Sequence, residues 1–134
     1  MEQKPSRKRN RDRRVEMNVQ GLEEDYAWHL RYTQSKGPDD ATPRDQYTAF
    51  AHCVRDRLVE RWIETQKTYR DQNVKRVYYL SLEFLIGRLL GNNVINLRMD
   101  AFCREALADY GIEWNSLRDF EVDAGLGNGG LGRL

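Results

Sequence analysis

The chain has 134 residues and a mass of 15.8 kDa, with 40% apolar and 32% charged residues. These values suit one globular unit and exclude a collagen-like or wholly disordered chain. Its 22 basic and 21 acidic residues nearly cancel, so the overall charge favours neither a nucleic-acid-binding nor a membrane-surface protein. No apolar run approaches the ~18 residues of a transmembrane helix, and the N-terminus lacks the apolar core of a secretory signal. We therefore expect a cytoplasmic protein.

The N-terminus is strongly basic. Residues 1–14 contain seven Lys or Arg and two acids, which leaves 15 basic and 19 acidic residues in the rest of the chain. From Lys4 to Arg14 almost no residue is apolar, so burial cannot offset the entropy lost on ordering the backbone. The sequence predicts a disordered basic tail over 1–14 and a folded part over 15–134. A regulatory or nucleic-acid-binding role for the tail is the alternative.

The cysteines and histidines do not suggest a metal site. Cys53 and Cys103 lie within helical patterns and outside any CxxC motif, so we expect buried, reduced thiols. His29 and His52 are far apart in sequence. We therefore expect packed or surface histidines and no bound metal.

A turn separates the first two predicted helices. Apolar spacing predicts a short helix over 25–33, and the sequence of 37–40 is typical of a turn. Thr42, Pro43 and Asp45 then form a helix start, with a capping Thr, Pro at the first helical position and an acid three residues after the cap. A long helix should follow, with one apolar face toward a core for about seven turns. That face consists of Tyr47, Phe50, Ala51, Val54, Leu58, Trp62 and Tyr69.

The pattern then changes to that of a strand. A β-branched and aromatic run over 77–80 predicts a short strand buried on both faces. Helical spacing returns over 99–110, and Gly111 fits a helix C-terminus. Ser116 and Asp119 have the spacing of a capping box for one more short helix. Helices combined with a buried strand predict the α/β fold class.

The C-terminal segment is rich in glycine. Five of the ten glycines lie within 125–132, a density that lets backbone N–H groups approach an anion closely. Two overlapping GxGxxG matches occur, but neither follows a predicted strand or precedes an acidic ribose-binding residue, and no Walker lysine is present. A dinucleotide-dependent oxidoreductase is thus weakly supported, and a phosphate-binding loop and a structural turn both stay open.

Three segments together resemble one protein family. They are ATPRD at 41–45, KRVYYLSLEFLIGR at 75–88 and DAGLGNGGLGRL at 123–134. The chain resembles the N-terminal part of glycogen (α-1,4-glucan) phosphorylases. The resemblance implies that residues 15–134 are the mainly helical, incomplete N-terminal portion of a Rossmann-like domain of the glycosyltransferase type. It also implies that the chain is the front of a longer protein and is inactive by itself.

The resemblance implies a reaction and a cofactor. Family members act as homodimers that cleave terminal α-1,4-linked glucose of glycogen with inorganic phosphate, which gives glucose 1-phosphate with retained configuration. Their pyridoxal 5′-phosphate is held by a lysine of a C-terminal domain that this chain does not include. Several members place an aromatic residue beside the cofactor where this chain has Leu85. The alternative function is a non-catalytic helical module for dimerisation or regulation.

The resemblance also assigns site residues by position. Gly129 and Gly130 correspond to backbone donors that face the substrate phosphate, and Leu131 corresponds to a main-chain N–H at the glucosyl site. Glu83 and Asn128 are placed near the catalytic cleft. For Glu83, a structural role at the end of a buried strand is equally open.

The regulatory positions depart from the animal pattern. The nucleotide-activator site survives in part as Trp62, Gln66 and Tyr69, but Glu64 stands where that pattern has a cation. An acid beside a nucleotide phosphate is unfavourable, so we expect weak or no activation by AMP. Trp62 also lies on the apolar face of its helix, which favours a core or subunit contact over nucleotide stacking. Asn18 occupies the position of the phosphorylated serine, so we expect no covalent activation there.

Overall fold

A computed structural model describes residues 12–127 and residue 130. Within this part of the chain there are one short 3-10 helix and five α-helices, and no residue lies in a strand. The mainly helical character is therefore confirmed. None of the described helices is long and apolar enough to cross a membrane. The bounds are Arg13–Val15 for the 3-10 helix, Val19–Tyr32 for α1, Pro43–Asp71 for α2, Leu90–Asn96 for α3, Asp100–Asp109 for α4 and Trp114–Arg118 for α5.

Helix α1 begins six residues before its predicted start at residue 25. Asn18 caps it, because its side-chain oxygen accepts a hydrogen bond from the Gly21 N–H at 2.8 Å. Gly21 is required by close packing, since an added Cβ would lie 2.8 Å from the Arg13 carbonyl oxygen. The 3-10 helix thus packs directly on the first turn of α1.

The predicted start of the long helix is confirmed. The Thr42 hydroxyl accepts a hydrogen bond from the Asp45 N–H, and the Asp45 carboxylate accepts one from the Thr42 N–H, at 3.2 and 3.0 Å. Hydrogen bonds from the Thr42 hydroxyl and then from its backbone N–H lower the pKa of Asp45. Together with Pro43 at the first helical position, these bonds satisfy N–H groups that the helix leaves unpaired.

The core lies where α1 and the first half of α2 pack against α4 and α5. Tyr26 meets Tyr110 edge to face at 4.8 Å between ring centroids, and Phe50 meets Trp114 at 5.7 Å. Other buried apolar residues are Leu22, Leu30, Ala49, Cys53, Val54, Leu90, Val94, Leu97, Met99, Cys103, Ala106, Leu107 and Leu117. The apolar face predicted along all of α2 is buried only in its first half. Val54 is buried, whereas Trp62 and Tyr69 further along the helix are 67% and 42% exposed.

Both cysteines are free and buried, as predicted. Burial raises the pKa of Cys103 to about 12 and raises that of Cys53 well above its ordinary value. The two thiols are therefore protonated at neutral pH and act as small apolar groups in the core.

The strand predicted over 77–80 is not formed in the described residues. Residues 74–89 have neither helix nor strand pairing, and Val77 and Leu80 are 87% and 91% exposed. A strand needs a neighbour to pair its N–H and C=O groups, and no described segment provides one. The α/β class is therefore not established by the described part of the chain.

The end of α4 is predicted correctly, whereas the start of α5 is not. Gly111 follows α4 with φ +68°, a conformation that favours glycine. Helix α5 begins with Glu113 as its cap, whose carboxylate accepts hydrogen bonds from the N–H groups of Asn115 and Ser116. The predicted Ser116 cap is wrong, because Ser116 already lies inside the helix.

A buried ion pair joins α1 to α2 and holds the N-terminal segment. The Arg57 guanidinium donates to Asp25 at 2.7 Å, and both side chains are 1% exposed. It also donates to the carbonyl oxygens of Cys53, Arg14 and Glu16 at 2.9, 2.6 and 3.1 Å. The segment after residue 11 is thereby fixed to the helices.

The predicted boundary of the basic tail therefore moves toward the N-terminus. The tail was expected over 1–14, yet residues 13 and 14 belong to the 3-10 helix Arg13–Val15. The remaining tail residues, 1–11, lie outside the described residues.

Replacing Arg57 tests the importance of this ion pair. We expect Arg57→Met to lower the free energy of unfolding by about 3–5 kcal/mol, because Asp25 would remain buried without a counter-charge. The measurement is equilibrium urea unfolding of the 134-residue chain. The double variant Arg57→Met/Asp25→Leu should regain part of the loss; a single variant as stable as the parent would contradict the structural account.

Candidate functional site

The two longer segments of the family resemblance meet in the structure. The Phe84 N–H donates to the Leu126 carbonyl oxygen at 2.7 Å. Leu89 and Leu90, five and six residues after Phe84, donate from their N–H groups to the Glu121 carboxylate, the bond from Leu90 measuring 2.9 Å. We call the contact between 84–90 and 121–126 the motif junction.

Glu83 lies beside the motif junction. Its backbone is fixed by Ser81, whose hydroxyl accepts from the Glu83 N–H at 3.0 Å and donates to the Glu83 carbonyl oxygen at 2.8 Å. Glu83 is half-buried and directly precedes Phe84, which carries the bond to 126. The structure thus shows that the backbone of Glu83 is held in place. The expected position of its side chain near a catalytic cleft stays a prediction.

The glycine-rich segment begins with a sharp turn. Gly125 has φ +63°, and its N–H donates to the Asp123 side chain at 2.9 Å. Gly130 is exposed, and an added Cβ would meet no atom within 4 Å. The other residues predicted at the phosphate and sugar sites, Asn128, Gly129 and Leu131, lie outside the described residues.

The three residues of the predicted nucleotide site share one groove. Trp62, Gln66 and Tyr69 lie on one face of α2 and line a groove of about 630 Å³ with residues 74–78. The Arg76 side chain crosses this groove, donating to the Gln66 Oε1 at 3.0 Å and lying over the Tyr69 ring at 5.7 Å. Trp62 is largely exposed, so it does not pack in the core of the described chain, and the alternative of a subunit contact stays a prediction.

The charge of this groove differs from the sequence expectation. Glu64 was expected beside a bound phosphate, but it does not line the groove. Lys75 and Arg76 line it instead. No local sequence pattern predicts the role of Arg76, because its contact with α2 depends on how the chain turns after residue 71.

A second group of side chains was also missed. His29 on α1 lies with its Nε2 3.1 Å from Oδ2 of Asp56 and 3.5 Å from Oδ1 of Asp25. Its ring stacks on that of His52 with centroids 5.2 Å apart. The histidines, expected to be isolated, are therefore in contact. The sequence does contain a signal for this group: Asp25 and His29, and likewise His52 and Asp56, are four residues apart, which places each pair on one helix face.

Curated relatives match most of the chain. It is 51% identical over 117 residues to the muscle form of glycogen phosphorylase from Mus musculus and from Homo sapiens. It is 52% identical over 117 residues to the liver form from Bos taurus. The chain is homologous to the glycogen phosphorylases. The matched region is 87% of this chain but 14% of each of these relatives, and no protein-family model matches the chain.

These matches confirm the family resemblance drawn from the three segments. In this homologue of glycogen phosphorylase, the motif junction joins the second segment at 75–88 to the third at 123–134. The junction is therefore where two of the segments that carry the resemblance come together, and its polar anchor is Glu121.

Removal of that anchor should loosen the motif junction. We expect Glu121→Ala to lower stability by about 1–2 kcal/mol, because the N–H groups of Leu89 and Leu90 lose a charged acceptor. Amide hydrogen exchange at these two residues should accelerate. The matched control is Asp119→Ala, which removes an exposed pair with Arg88 and should cost less than about 1 kcal/mol. Equal exchange rates in the two variants would argue against the anchor.

Proposed function

We propose that the chain forms part of an α-glucan phosphorylase, to which it contributes the glycine-rich side of the catalytic cleft. The reaction is the cleavage of a terminal α-1,4-linked glucose of glycogen by inorganic phosphate, which releases glucose 1-phosphate with retained configuration. The observation that carries the proposal is the motif junction, because it brings together two segments of a chain that is 51% identical to glycogen phosphorylases.

In this proposal the chain binds phosphate through its backbone. The N–H groups of Gly129 and Gly130 face the substrate phosphate, and the N–H of Leu131 faces the glucosyl unit. Glycine suits this task, since a side chain would keep an anion away from the backbone. The space around Gly130 supports the proposal, because a Cβ added there would meet no described atom within 4 Å. Glu83 and Asn128 orient substrate groups at the edge of the same cleft.

The cofactor in this proposal is held mainly outside the chain. Pyridoxal 5′-phosphate, bound by a lysine of another domain, would supply a phosphate group that exchanges a proton with the substrate phosphate. The described residues fit a bordering role at such a group. Leu85 is 78% exposed and offers apolar surface, while Gly130 is exposed and has no side chain.

The exposed segment over 77–85 supports the proposal that the domain is Rossmann-like. Val77, Leu80 and Leu82 are 87%, 91% and 89% exposed, although the sequence of 77–80 is typical of a strand buried on both faces. Further polypeptide that supplies neighbouring strands would bury this surface and pair its backbone. In the proposed enzyme, which acts as a cytoplasmic homodimer, this segment becomes a strand of the sheet.

The direct test uses the product of the complete open reading frame. We expect it to release glucose 1-phosphate from glycogen and inorganic phosphate, and to contain pyridoxal 5′-phosphate. A reading frame that ends at residue 134, with a product that binds a protein partner and lacks this activity, would support the non-catalytic dimerisation module instead.

A bulky residue at position 130 should impair the use of phosphate. We expect Gly130→Val to raise the KM for phosphate on the order of tenfold or more, with a smaller change in the KM for glycogen, because the side chain obstructs the backbone donors. Steady-state kinetics with each substrate varied separately provide the measurement. Ala108→Val, an exposed change on α4, is the control. An unchanged phosphate KM would reject the role of Gly130.

Nucleotide activation should be weak. The Arg76 guanidinium is engaged by Gln66 and Tyr69, so a nucleotide must displace these contacts before its phosphate meets this cation. We expect no saturable quenching of Trp62 fluorescence by AMP below about 1 mM. The contributions of Trp28 and Trp114 are removed by comparison with Trp62→Phe. Saturation at micromolar AMP, absent from Trp62→Phe, would show a functional nucleotide site.

A further inference from the structure

Three side chains on α1 and α2 bring ligand atoms to one place. Asp25 and His29 are one helical turn apart on α1, and Asp56 faces them from α2. Their ligand atoms all lie within 4.8 Å of one another. His29 Nε2 is 3.1 Å from Oδ2 of Asp56 and 3.5 Å from Oδ1 of Asp25. Tetrahedral zinc with bonds of about 2.0–2.1 Å holds its ligand atoms about 3.3 Å apart.

We propose that Asp25, His29 and Asp56 bind a divalent transition-metal cation of the zinc type. One imidazole nitrogen and two carboxylate oxygens are the three protein ligands of an open tetrahedral site, whose fourth position a water can take. Mg²⁺ and Ca²⁺ suit the site poorly, because they prefer six or more oxygen ligands.

The second nitrogen of His29 is already held in the orientation that a metal ligand needs. His29 Nδ1 lies 2.9 Å from the hydroxyl oxygen of Thr33. When Nδ1 carries the proton, it donates to this oxygen, and the lone pair of Nε2 faces the Asp56 carboxylate at 3.1 Å, where a cation can lie between them. A hydrogen bond of this kind fixes the tautomer and ring orientation of metal-bound histidines.

The Arg57 ion pair leaves the site able to attract a cation. Arg57 binds Oδ2 of Asp25 at 2.7 Å, whereas Oδ1 of the same carboxylate faces His29 at 3.5 Å. Arg57 offsets one of the two carboxylate charges, so one negative charge remains when His29 is neutral. Arg55 lies 3.4 Å from Oδ1 of Asp56 but is 65% exposed, and solvent therefore screens its charge.

Access to the site is through Asp56. The side chains of Asp25 and His29 are 1% and 6% exposed, whereas that of Asp56 is 32% exposed. A cation can therefore enter beside Asp56 and keep one water ligand. His52 stacks with its ring nearly parallel to that of His29, at 18°, so it packs against the site instead of converging on the same point.

The test measures cation binding by the full 134-residue chain with Zn²⁺ and Co²⁺ as probes. We expect one Zn²⁺ per chain by titration calorimetry, and Co²⁺ absorption bands typical of tetrahedral coordination. Asp56→Asn should weaken binding at least tenfold. Thr33→Val, which acts only through His29, should weaken it about tenfold and alter the Co²⁺ spectrum. The control Asp100→Asn changes an exposed Asp paired with Arg104 and should bind like the parent.

The outcomes decide the proposal. Loss of affinity in Asp56→Asn and Thr33→Val, with helical circular dichroism unchanged, supports the site. No saturable binding of either ion by the parent, or equal affinity in the parent and these variants, overturns it. If Asp56→Asn does not fold, Thr33→Val alone gives the decision, because its side chain lies at the exposed end of α1.

Discussion

One buried guanidinium sets the arrangement of the N-terminal half. Arg57 contacts a carboxylate on α1, a carbonyl oxygen of its own helix and two carbonyl oxygens of the N-terminal segment. A buried charge is tolerated only when its partners are in place, so these three parts of the chain must adopt one relative position. The same requirement holds α2 against α1 and so keeps Asp56 on α2 near His29 on α1, and the proposed cation site therefore depends on Arg57.

Residues 77–89 are held by polar contacts, since none of them is buried. At the motif junction, the Glu121 carboxylate and one backbone hydrogen bond at Phe84 join segments more than thirty residues apart. The preceding segment leaves Leu80 and Leu82 exposed. Apolar surface of this extent is costly in water. This contrast between a packed helical part and an uncovered segment supports the proposal that the candidate active site is completed by further polypeptide.

The regulatory positions acquire physical roles of their own. Asn18, which the family resemblance places at the position of a phosphorylated serine, caps α1 through the Gly21 N–H. Trp62, Gln66 and Tyr69 retain a groove, yet Arg76 spans it. In this chain Asn18 stabilises a helix start, and Gln66 and Tyr69 contact Arg76 in the segment after α2. We infer that regulation of the proposed enzyme differs from that of the animal members more than its chemistry does.

The sequence by itself determined the features whose cause is local. The Thr42 capping box, the Gly111 stop and the burial of both cysteines follow from neighbouring residues or from simple periodicity, and the structure has them. The three family segments likewise identified the homology. The sequence could not place the start of α1 or of α5, since Asn18 and Glu113 compete with other plausible caps nearby.

Only the tertiary structure decided the contacts between residues distant in sequence. It brought His29 to Asp56, Arg57 to the N-terminal carbonyls and Arg76 to Gln66. It also left 77–80 unpaired, although the local pattern favours a strand. The physical reason is common to these cases. An apolar helix face, a buried charge and a strand each need contacts with residues distant in sequence, and the local sequence does not specify which residues those are.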